Sequence, residues 1–267
     1  MPWLALTLQV ERAAAEAFSD ALLEAGAQSV SLEGEETVAA ILTLGTDANA
    51  LVASAARSVG IPPPRFSSAT LQDQDWVRAT QAQFQPIAIG ARLWVGASWH
   101  APAPGRIAVR MDPGLAFGTG SHPTTKLVLS FLENRIRGGE RVLDYGCGSG
   151  ILAIAAAKLG ATQVDAVDLD AQAVATTRAN AAANAVPVRA ALPDALPAAD
   201  YDIVVSNILA QPLIVLAPLL ARRGRQLALS GILEAQADEV ARAYQPWLAL
   251  SVAAREEGWA LLSGARR

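Results

Sequence analysis

The sequence is poor in the residues that build disulfides and metal centres. Among 267 residues there is one cysteine, Cys147, and there are two histidines, His100 and His122. One cysteine excludes an internal disulfide and a cysteine-rich zinc site, and two histidines leave little material for a histidine-based metal cage. We therefore predict a protein without a metal site that works in a reducing compartment.

Long apolar runs and a strong excess of either charge are also absent. The apolar run 151–157 ends at Lys158, far short of the roughly 20 residues that a membrane-spanning helix needs. Residues 1–18 contain no basic segment followed by an apolar core, so we predict no signal peptide and a cytoplasmic protein. The formal net charge of −4 argues weakly against a surface that binds nucleic acid throughout. Hydrophobic residues make up 52% of the chain, which excludes a disordered protein.

Residues 1–71 contain a pattern of six short elements. Residues 3–10 alternate as a half-buried strand does, and residues 13–25 carry apolar side chains at helical spacing before Gly26. Two strand-like runs, a helix pattern that begins at Asp47 and a final strand-like run follow, at 29–32, 37–44, 47–59 and 65–71. The order strand–helix–strand–strand–helix–strand predicts a small ferredoxin-like α+β domain.

The pattern changes twice in the rest of the chain. Residues 72–105 are less regular, with a possible helix at 73–84 and a strand at 92–95, and we predict a connector there. From residue 106 onward, apolar strands alternate with helices, which predicts an α/β domain with a largely parallel sheet over 106–267. The expected strands are 141–145, 163–168, 188–190, 201–207, 225–230, 251–256 and 258–263, with the last two as a hairpin.

The clearest candidate ligand site follows the strand at 141–145. Gly146, Gly148 and Gly150 alternate there, directly before a helix pattern at 151–159. Glycines allow a tight turn and a close approach to a ligand, and the amides of the helix N-terminus face the same crevice. A tight turn also needs glycine for structural reasons alone. Because the spacing is not G-x-G-x-x-G, a nucleoside without a diphosphate fits better than a dinucleotide.

Two acidic residues lie where such a ligand would bind. Asp168 ends the next strand, 22 residues after Gly146, where an acidic side chain can bind ribose hydroxyls. Its alternative role is that of a helix N-cap, which suits Asp170 better. Asp144 lies at the carboxyl end of its strand, where it either holds a cationic group of the ligand or braces the glycine turn.

These motifs resemble class I S-adenosylmethionine-dependent methyltransferases, which have a seven-stranded Rossmann-like sheet with an antiparallel final strand. Residues 112–125 (DPGLAFGTGSHPTT) and 207–210 (NILA) resemble, more narrowly, the methyltransferases of large-subunit ribosomal protein eleven. The segments 1–3, 75–76 and 92–94 fit the same family, so the resemblance covers nearly the whole chain. It implies S-adenosylmethionine as cofactor and this ribosomal protein as substrate, methylated on lysine side chains or on its N-terminal amine.

Carried over by position, the resemblance implies cofactor contacts from the glycine turn and from three further strand or loop ends. The predicted cofactor-binding residues are Thr125, Asp144, Gly146, Gly148, Asp168 and Asn207. Many amino-methyltransferases carry Asn-Pro-Pro-Tyr where this chain has Asn207-Ile208-Leu209-Ala210. The missing aromatic residue argues against a flipped adenine as substrate and leaves the Asn207 oxygen to accept a hydrogen bond from the attacking amine. Asn207 can also serve as a helix N-cap.

Asn207, His122 and Phe117 are our candidate catalytic residues. Phe117 belongs to an apolar stretch in a loop rich in glycine and threonine, which suggests that the loop closes over a ligand. His122 is either a general base or, in the interpretation that we favour, a residue that orders the loop. Methyl transfer mainly needs a neutral amine held in line, and desolvation lowers the amine pKa, so a dedicated base is not required. Cys147 has no histidine close in sequence to activate it and is not predicted to be a nucleophile.

The distribution of charge separates possible partners. Residues 1–71 carry eight acidic and three basic residues, whereas the rest of the chain has a net charge of +1. A ferredoxin-like sheet that binds RNA displays basic and aromatic residues, so this acidic domain favours a basic protein as partner. A solvated acidic surface without a partner also fits. We expect a monomer that recognises its substrate with residues 1–71 and does not bind nucleic acid stably. The alternatives are a methyltransferase of RNA or small molecules and a nucleoside-binding module without activity.

Overall fold

A computed structural model of the chain describes residues 3–32, 37–71, 85–112 and 120–266. The chain divides into two compact units, Met1–Gln83 and Phe84–Arg267. Within the described ranges, no helix is long and apolar enough to span a membrane.

The first unit contains a four-stranded antiparallel sheet in the order β2-β3-β1-β4. Its elements are β1 (Trp3–Gln9), α1 (Arg12–Glu24), β2 (Ser29–Leu32), β3 (Thr37–Thr43), α2 (Ala48–Val59) and β4 (Phe66–Leu71). Leu6 and Leu8 are buried while Thr7 and Gln9 are exposed, because neighbouring side chains of a strand point to opposite faces. The predicted ferredoxin-like arrangement is confirmed.

The helices of this unit pack on one face of its sheet, where Leu8, Phe18 and Val52 belong to a single core. Helix α2 begins at Asp47, whose carboxylate accepts the N–H of Ala50 at 3.1 Å, and it ends at Gly60 with a left-handed φ of 76°.

The second unit contains a seven-stranded sheet in the order β10-β9-β8-β11-β12-β14-β13. Its strands are β8 (Arg141–Tyr145), β9 (Gln163–Val167), β10 (Arg189–Ala191), β11 (Tyr201–Asn207), β12 (Gly224–Leu233), β13 (Ser251–Glu256) and β14 (Trp259–Ala265). Its helices are α3 (Pro123–Arg135), α4 (Ile151–Leu159), α5 (Ala171–Ala183), α6 (Ala210–Val215), α7 (Ala217–Arg223) and α8 (Ala237–Tyr244). Strands β8 to β12 are parallel, and β14 is antiparallel to both β12 and β13. The predicted Rossmann-like sheet with a terminal hairpin is confirmed.

Apolar side chains cover both faces of this sheet. Along β11, Ile203 and Val205 join one core and Val204 joins the other. Strands buried on both faces read as continuous apolar runs, which explains why the sequence pattern here lacks polar alternation.

Part of the predicted connector has a regular structure. Three short strands, β5 (Ile87–Ile89), β6 (Leu93–Gly96) and β7 (Ile107–Arg110), form a separate sheet, and Leu93 and Val95 belong to the same core as Val142. Residues 85–105 therefore pack as part of the second unit, whereas we expected a connector. The predicted helix at 73–84 and the loop that contains Phe117 lie outside the described residues.

One arginine ties this small sheet to the helices of the second unit. Arg92 donates to the backbone carbonyls of Glu133, Ile136 and Leu159 at 3.1, 3.1 and 3.4 Å. These carbonyls lie at the C-terminal ends of α3 and α4, where the helix dipole favours a cation. The Glu133 carboxylate accepts the backbone N–H of Arg92 in return.

Candidate active site

The glycine turn joins β8 to α4 at the carboxyl edge of the parallel strands. Gly146, Gly148 and Gly150 all have positive φ angles, of 84°, 52° and 81°. An added Cβ at Gly146 would overlap Cγ2 of Ile208, and one at Gly150 would lie 2.7 Å from Cγ2 of Thr177. At these two positions glycine is therefore needed for packing within the protein as well as for any approach of a ligand.

Asp144 lies directly beneath this turn and is completely buried. One of its carboxylate oxygens accepts the N–H of Ala153 at 3.1 Å, so the side chain holds the first turn of α4 against β8. Its other oxygen, Oδ1, has no hydrogen-bond partner among the described residues. Burial, with a smaller contribution from the negative charge of Asp168, raises the pKa of Asp144 to about 7. The bond to Ala153 fits the predicted role of Asp144 in bracing the turn, and the unpartnered Oδ1 fits its alternative role of holding a cationic group.

Asp168 follows β9 and faces the glycine turn. Its carboxylate accepts the N–H of Gly148 at 2.9 Å and the N–H of Asp170 at 3.1 Å. The N-cap of α5 is Asp170, which accepts the N–H of Gln172 at 2.8 Å, as the sequence suggested. Asp168 therefore organises the turn instead of capping the helix.

Thr125 and Asn207, which are distant in sequence, meet at the same edge. Nδ2 of Asn207 donates to the hydroxyl oxygen of Thr125 at 3.3 Å. The residue before Asn207, Ser206, donates to the carbonyl oxygen of Tyr145 at 2.6 Å, which fastens the end of β11 to the end of β8. Asn207 thus lies next to the strand that leads into the glycine turn.

Helix α3 begins at His122, which acts as its N-cap. Nδ1 of His122 accepts the N–H of Thr124 at 3.3 Å and lies 2.7 Å from the hydroxyl oxygen of the same residue. The imidazole also meets the ring of Trp259 edge to face, with 5.0 Å between ring centres. This is the geometry of a residue that orders the start of a helix.

A largely apolar pocket of about 370 Å³ lies beside Asn207. Its lining residues are His122, Thr124, Asn207, Ile208, Leu209, Gly231 and Trp259. Leu209, one of these lining residues, is 69% exposed.

Sequence reasoning missed three of these residues. Ile208 lies against both Gly146 and Gly231, so an added Cβ at either glycine would overlap it. Gly231 marks a register shift between β12 and β14, and Trp259 opens β14. Gly231 directly follows the strand predicted at 225–230, and a glycine at that place was the available signal for such a close approach.

Cys147 lies within the glycine turn as a free cysteine. Its side chain is buried, and burial raises the pKa of its thiol to about 12. The hydroxyl of Thr177 donates to its sulfur at 3.3 Å. A thiol held in its protonated form is a poor nucleophile, in agreement with the sequence-based interpretation. Across the described parts of the chain, no three His, Cys, Asp or Glu side chains group in a way that could hold a metal ion.

Comparison with known proteins places this architecture in a family. The model of the family described as "Ribosomal protein L11 methyltransferase (PrmA)" matches residues 2–267. Proteins named ribosomal protein L11 methyltransferase from Thiobacillus denitrificans and Chromobacterium violaceum are 48% and 45% identical over 296 and 295 residues. The alignments cover 100% of this chain and 100% and 99% of those proteins.

A solved structure supports the same assignment. The crystal structure of ribosomal protein L11 methylase from Lactobacillus delbrueckii subsp. bulgaricus shares 32% sequence identity, with a TM-score of 0.62. The match covers 68% of this chain and 99% of that one. The chain therefore belongs to the ribosomal protein L11 methyltransferase family.

Proposed function

We propose that this chain transfers methyl groups from S-adenosylmethionine to amino groups of ribosomal protein L11, on lysine side chains or on the N-terminal amine. The observation that carries the proposal is the family match over residues 2–267. The hydrogen bond between Asn207 and Thr125 supports it, because it brings two of the predicted cofactor-binding residues together beside the glycine turn.

The residues at the glycine turn fit S-adenosylmethionine, which supplies a methyl group activated on a sulfonium. Asp144 Oδ1 is a buried acceptor without a partner among the described residues, and the ammonium group of the cofactor's methionine part can satisfy it. Asp168 uses its carboxylate for two N–H bonds, and a carboxylate has further acceptor capacity for the ribose hydroxyls. We place Gly146 and Gly148 against the methionine part and Thr125 and Asn207 beside them.

Two exposed leucines are positioned for the cofactor's adenine. Leu169, directly after Asp168, is 83% exposed, and Leu192, directly after β10, is also exposed. The N–H of Asp168 donates to the carbonyl of Ala191 at 3.3 Å, which keeps the two loops side by side. Their apolar surfaces would lose contact with water when a flat aromatic base covers them.

The pocket beside Asn207 is suited to a lysine side chain. Nδ2 of Asn207 is directed at Thr125, so the amide oxygen points away from that hydroxyl and can accept an N–H of the substrate amine. Ile208, Leu209 and Trp259 offer apolar walls for the methylene chain. Such walls also disfavour a charged ammonium, and the neutral amine is the form that attacks the methyl group.

His122 holds this pocket in shape. Its imidazole caps α3 and contacts Trp259, and a dedicated base is not required once the amine is desolvated. Phe117 stays a candidate for the residue that covers the pocket.

The first unit is proposed to recognise the ribosomal protein. Its described acidic residues Glu11, Asp20, Glu24 and Asp47 are exposed and belong to α1 or to the start of either helix. The open face of its sheet instead carries small neutral side chains such as those of Thr7 and Ser67. The helical side of this domain therefore offers the surface that attracts a basic partner.

The remaining assignments are part of the same proposal. Residues 1–71 would recognise the substrate, and 106–267 would carry out methyl transfer. Of the predicted connector 72–105, only the part before residue 85 would connect the domains, since residues 85–105 pack within the second unit. We further propose that the protein acts as a monomer in the cytoplasm and does not bind nucleic acid stably.

The test is incubation of the full-length protein with labelled S-adenosylmethionine and either purified ribosomal protein L11 or ribosomal RNA. Label should enter the protein, and peptide mass spectrometry should place it on amino groups. Asn207→Ala should reduce the rate by about 100-fold, as expected when an orienting hydrogen bond is lost. Trp259→Ala should raise KM for the substrate without changing cofactor affinity. Label that enters only RNA would refute the proposal.

A further inference from the structure

The amino edge of the seven-stranded sheet carries a second pocket, far from Asn207. Its volume is about 380 Å³, and it is lined by Asp200, Tyr201, Arg223, Arg225 and Arg266. Strand β11 runs from Tyr201 at this pocket to Asn207 at the proposed active site. At about 3.3 Å per residue, the strand separates the two sites by roughly 20 Å.

Three chain segments bring the pocket's arginines together. Strands β11 and β12 are parallel, with Tyr201 opposite Gly224. Strand β14 is antiparallel to β12 and ends with Ala265 opposite Gln226. The starts of two strands and the end of a third therefore meet here, and each of the three arginines lies within two residues of one of these strand ends.

Backbone carbonyls hold two of the guanidinium groups in place. Nη1 of Arg223 donates to the carbonyl oxygen of Pro197 at 2.6 Å, and Nη2 of Arg266 donates to that of Arg222 at 2.8 Å. Among the described residues, each of these two guanidiniums donates hydrogen bonds from one terminal nitrogen only, Nη1 in Arg223 and Nη2 in Arg266. Since a guanidinium has five N–H donors, the others can serve a ligand.

The local charge is positive although the whole chain has a net charge of −4. Three arginines line the pocket, against the carboxylate of Asp200 in its lining and that of Asp202 beside Arg225. Nε of Arg225 lies 4.0 Å from Asp202, and the arginine side chain is 81% exposed, so this pair is weak. Behind the pocket, the guanidinium of Arg141 lies 5.7 Å from the centre of the Tyr201 ring, and the hydroxyl of the same tyrosine donates to the Asp165 carboxylate at 2.7 Å, so the excess of positive charge belongs to the lining arginines.

We propose that this pocket binds two neighbouring phosphate groups, as found in pyrophosphate. The planar guanidinium fork matches the oxygens of a phosphate. The arginines are always charged and repel one another, so an anion between them relieves this repulsion. Two of the three are already ordered by their carbonyl contacts, and binding therefore costs little additional side-chain entropy.

The experiment uses the full-length protein and two probes. Inorganic pyrophosphate is titrated in a calorimeter, and a labelled single-stranded RNA is titrated by fluorescence anisotropy, each at low and high salt. We expect binding that weakens with salt, and Arg225→Ala and Arg266→Ala should each weaken it by about tenfold. Arg255→Ala is the matched control, since Arg255 is an exposed arginine on β13 that pairs with Glu234.

The outcomes distinguish the source of the phosphates. RNA binding that pyrophosphate displaces supports the site, makes nucleic acid the source of the phosphates and overturns the separate proposal that the protein does not bind nucleic acid stably. Binding of pyrophosphate alone supports the site and makes a small anion the ligand. Failure of both probes to bind, or equal weakening by Arg255→Ala, overturns the proposal. Because the pocket is remote from Asn207, unchanged methyl transfer by the variants shows that they are folded and that the two sites are separate.

Discussion

Replacing Asp144 by asparagine should remove a pH dependence of folding stability that the wild-type protein carries. The Asp144 carboxylate is completely buried, and only one of its oxygens has a partner among the described residues, the N–H of Ala153. Burial, assisted by the nearby charge of Asp168, raises its pKa to about 7. Asparagine has nearly the same shape, keeps the bond to Ala153 and carries no charge.

The magnitude follows from the difference between the folded and unfolded pKa. The folded protein retains a proton on Asp144 that the unfolded chain releases near pH 4. The stability contributed by the protonated form is therefore complete below pH 4 and is lost as the pH rises to 7. At about 1.36 kcal/mol per pKa unit, the loss between pH 5 and pH 8 is about 3 kcal/mol.

Urea denaturation of both proteins from pH 5 to pH 8 measures this effect. The free energy of unfolding of Asp144→Asn, minus that of the wild type, should increase by about 3 kcal/mol over this range. Other groups titrate alike in the two proteins and cancel in the difference. Asp170→Asn, which replaces an exposed carboxylate nearby, should show no such increase. A difference that stays constant with pH for Asp144→Asn would refute the argument from burial.

The same carboxylate makes a second, separable prediction about the cofactor. If the ionised form of Asp144 holds the cofactor's ammonium group, affinity for S-adenosylmethionine should fall about tenfold per unit as the pH drops below 7. Calorimetry between pH 7 and pH 5.5 tests this. Asp144→Asn should bind weakly and without this pH dependence. Tight binding by the variant would leave Asp144 with a role in bracing α4 alone.

Three further changes test the framework around the site. Asp165 is buried, which raises its pKa, but hydrogen bonds from Arg189, Tyr201 and Gln163 outweigh burial and leave the pKa lowered. In urea denaturation, Asp165→Asn should therefore lower the free energy of unfolding by ~1–3 kcal/mol at pH 7, and by progressively less as the pH falls through the native pKa. A destabilisation that grows in acid would contradict this. Arg92→Ala should lower the free energy of unfolding by ~2–3 kcal/mol, because its bonds to three helix-end carbonyls are lost. Arg92→Lys should restore part of this stability, and unchanged thermal unfolding of Arg92→Ala would show that those bonds are dispensable. Gly146→Ala places a methyl group against Ile208 at a residue with a left-handed φ, so it should lower the free energy of unfolding by ~1–3 kcal/mol and also weaken cofactor binding. Normal stability with weak cofactor binding would make Gly146 a ligand contact only.

The elements of this protein could be predicted wherever their signals are local. The helix at Ile151–Leu159 and the strand at Tyr201–Asn207 have the predicted bounds, because glycine flanks the helix and the strand is a continuous apolar run. Asp47 and Asp170 cap helices as expected, since an N-cap depends on the next three residues only.

Of the three-stranded sheet in residues 87–110, only the strand at 92–95 was predicted, and the structure has it at Leu93–Gly96. Its strands contain three or four residues each, too few for a periodic pattern. Two of them pair in parallel, Leu93 with Ile107, across an irregular loop. Pairing of that kind is decided by what lies opposite in space, and local propensity carries little information about it.

The sequence alone determined the class of the second domain, the glycine turn and the acidic residues beside it, because each depends on residues close together along the chain. Only the tertiary structure decided that Asn207 donates to Thr125, that Ile208 lies against two glycines, and that Trp259 contacts His122. It also decided that an oxygen of Asp144 is buried without a partner among the described residues. These features arise where the ends of parallel strands meet, and the order of strands in a sheet depends on long-range packing rather than on neighbouring residues.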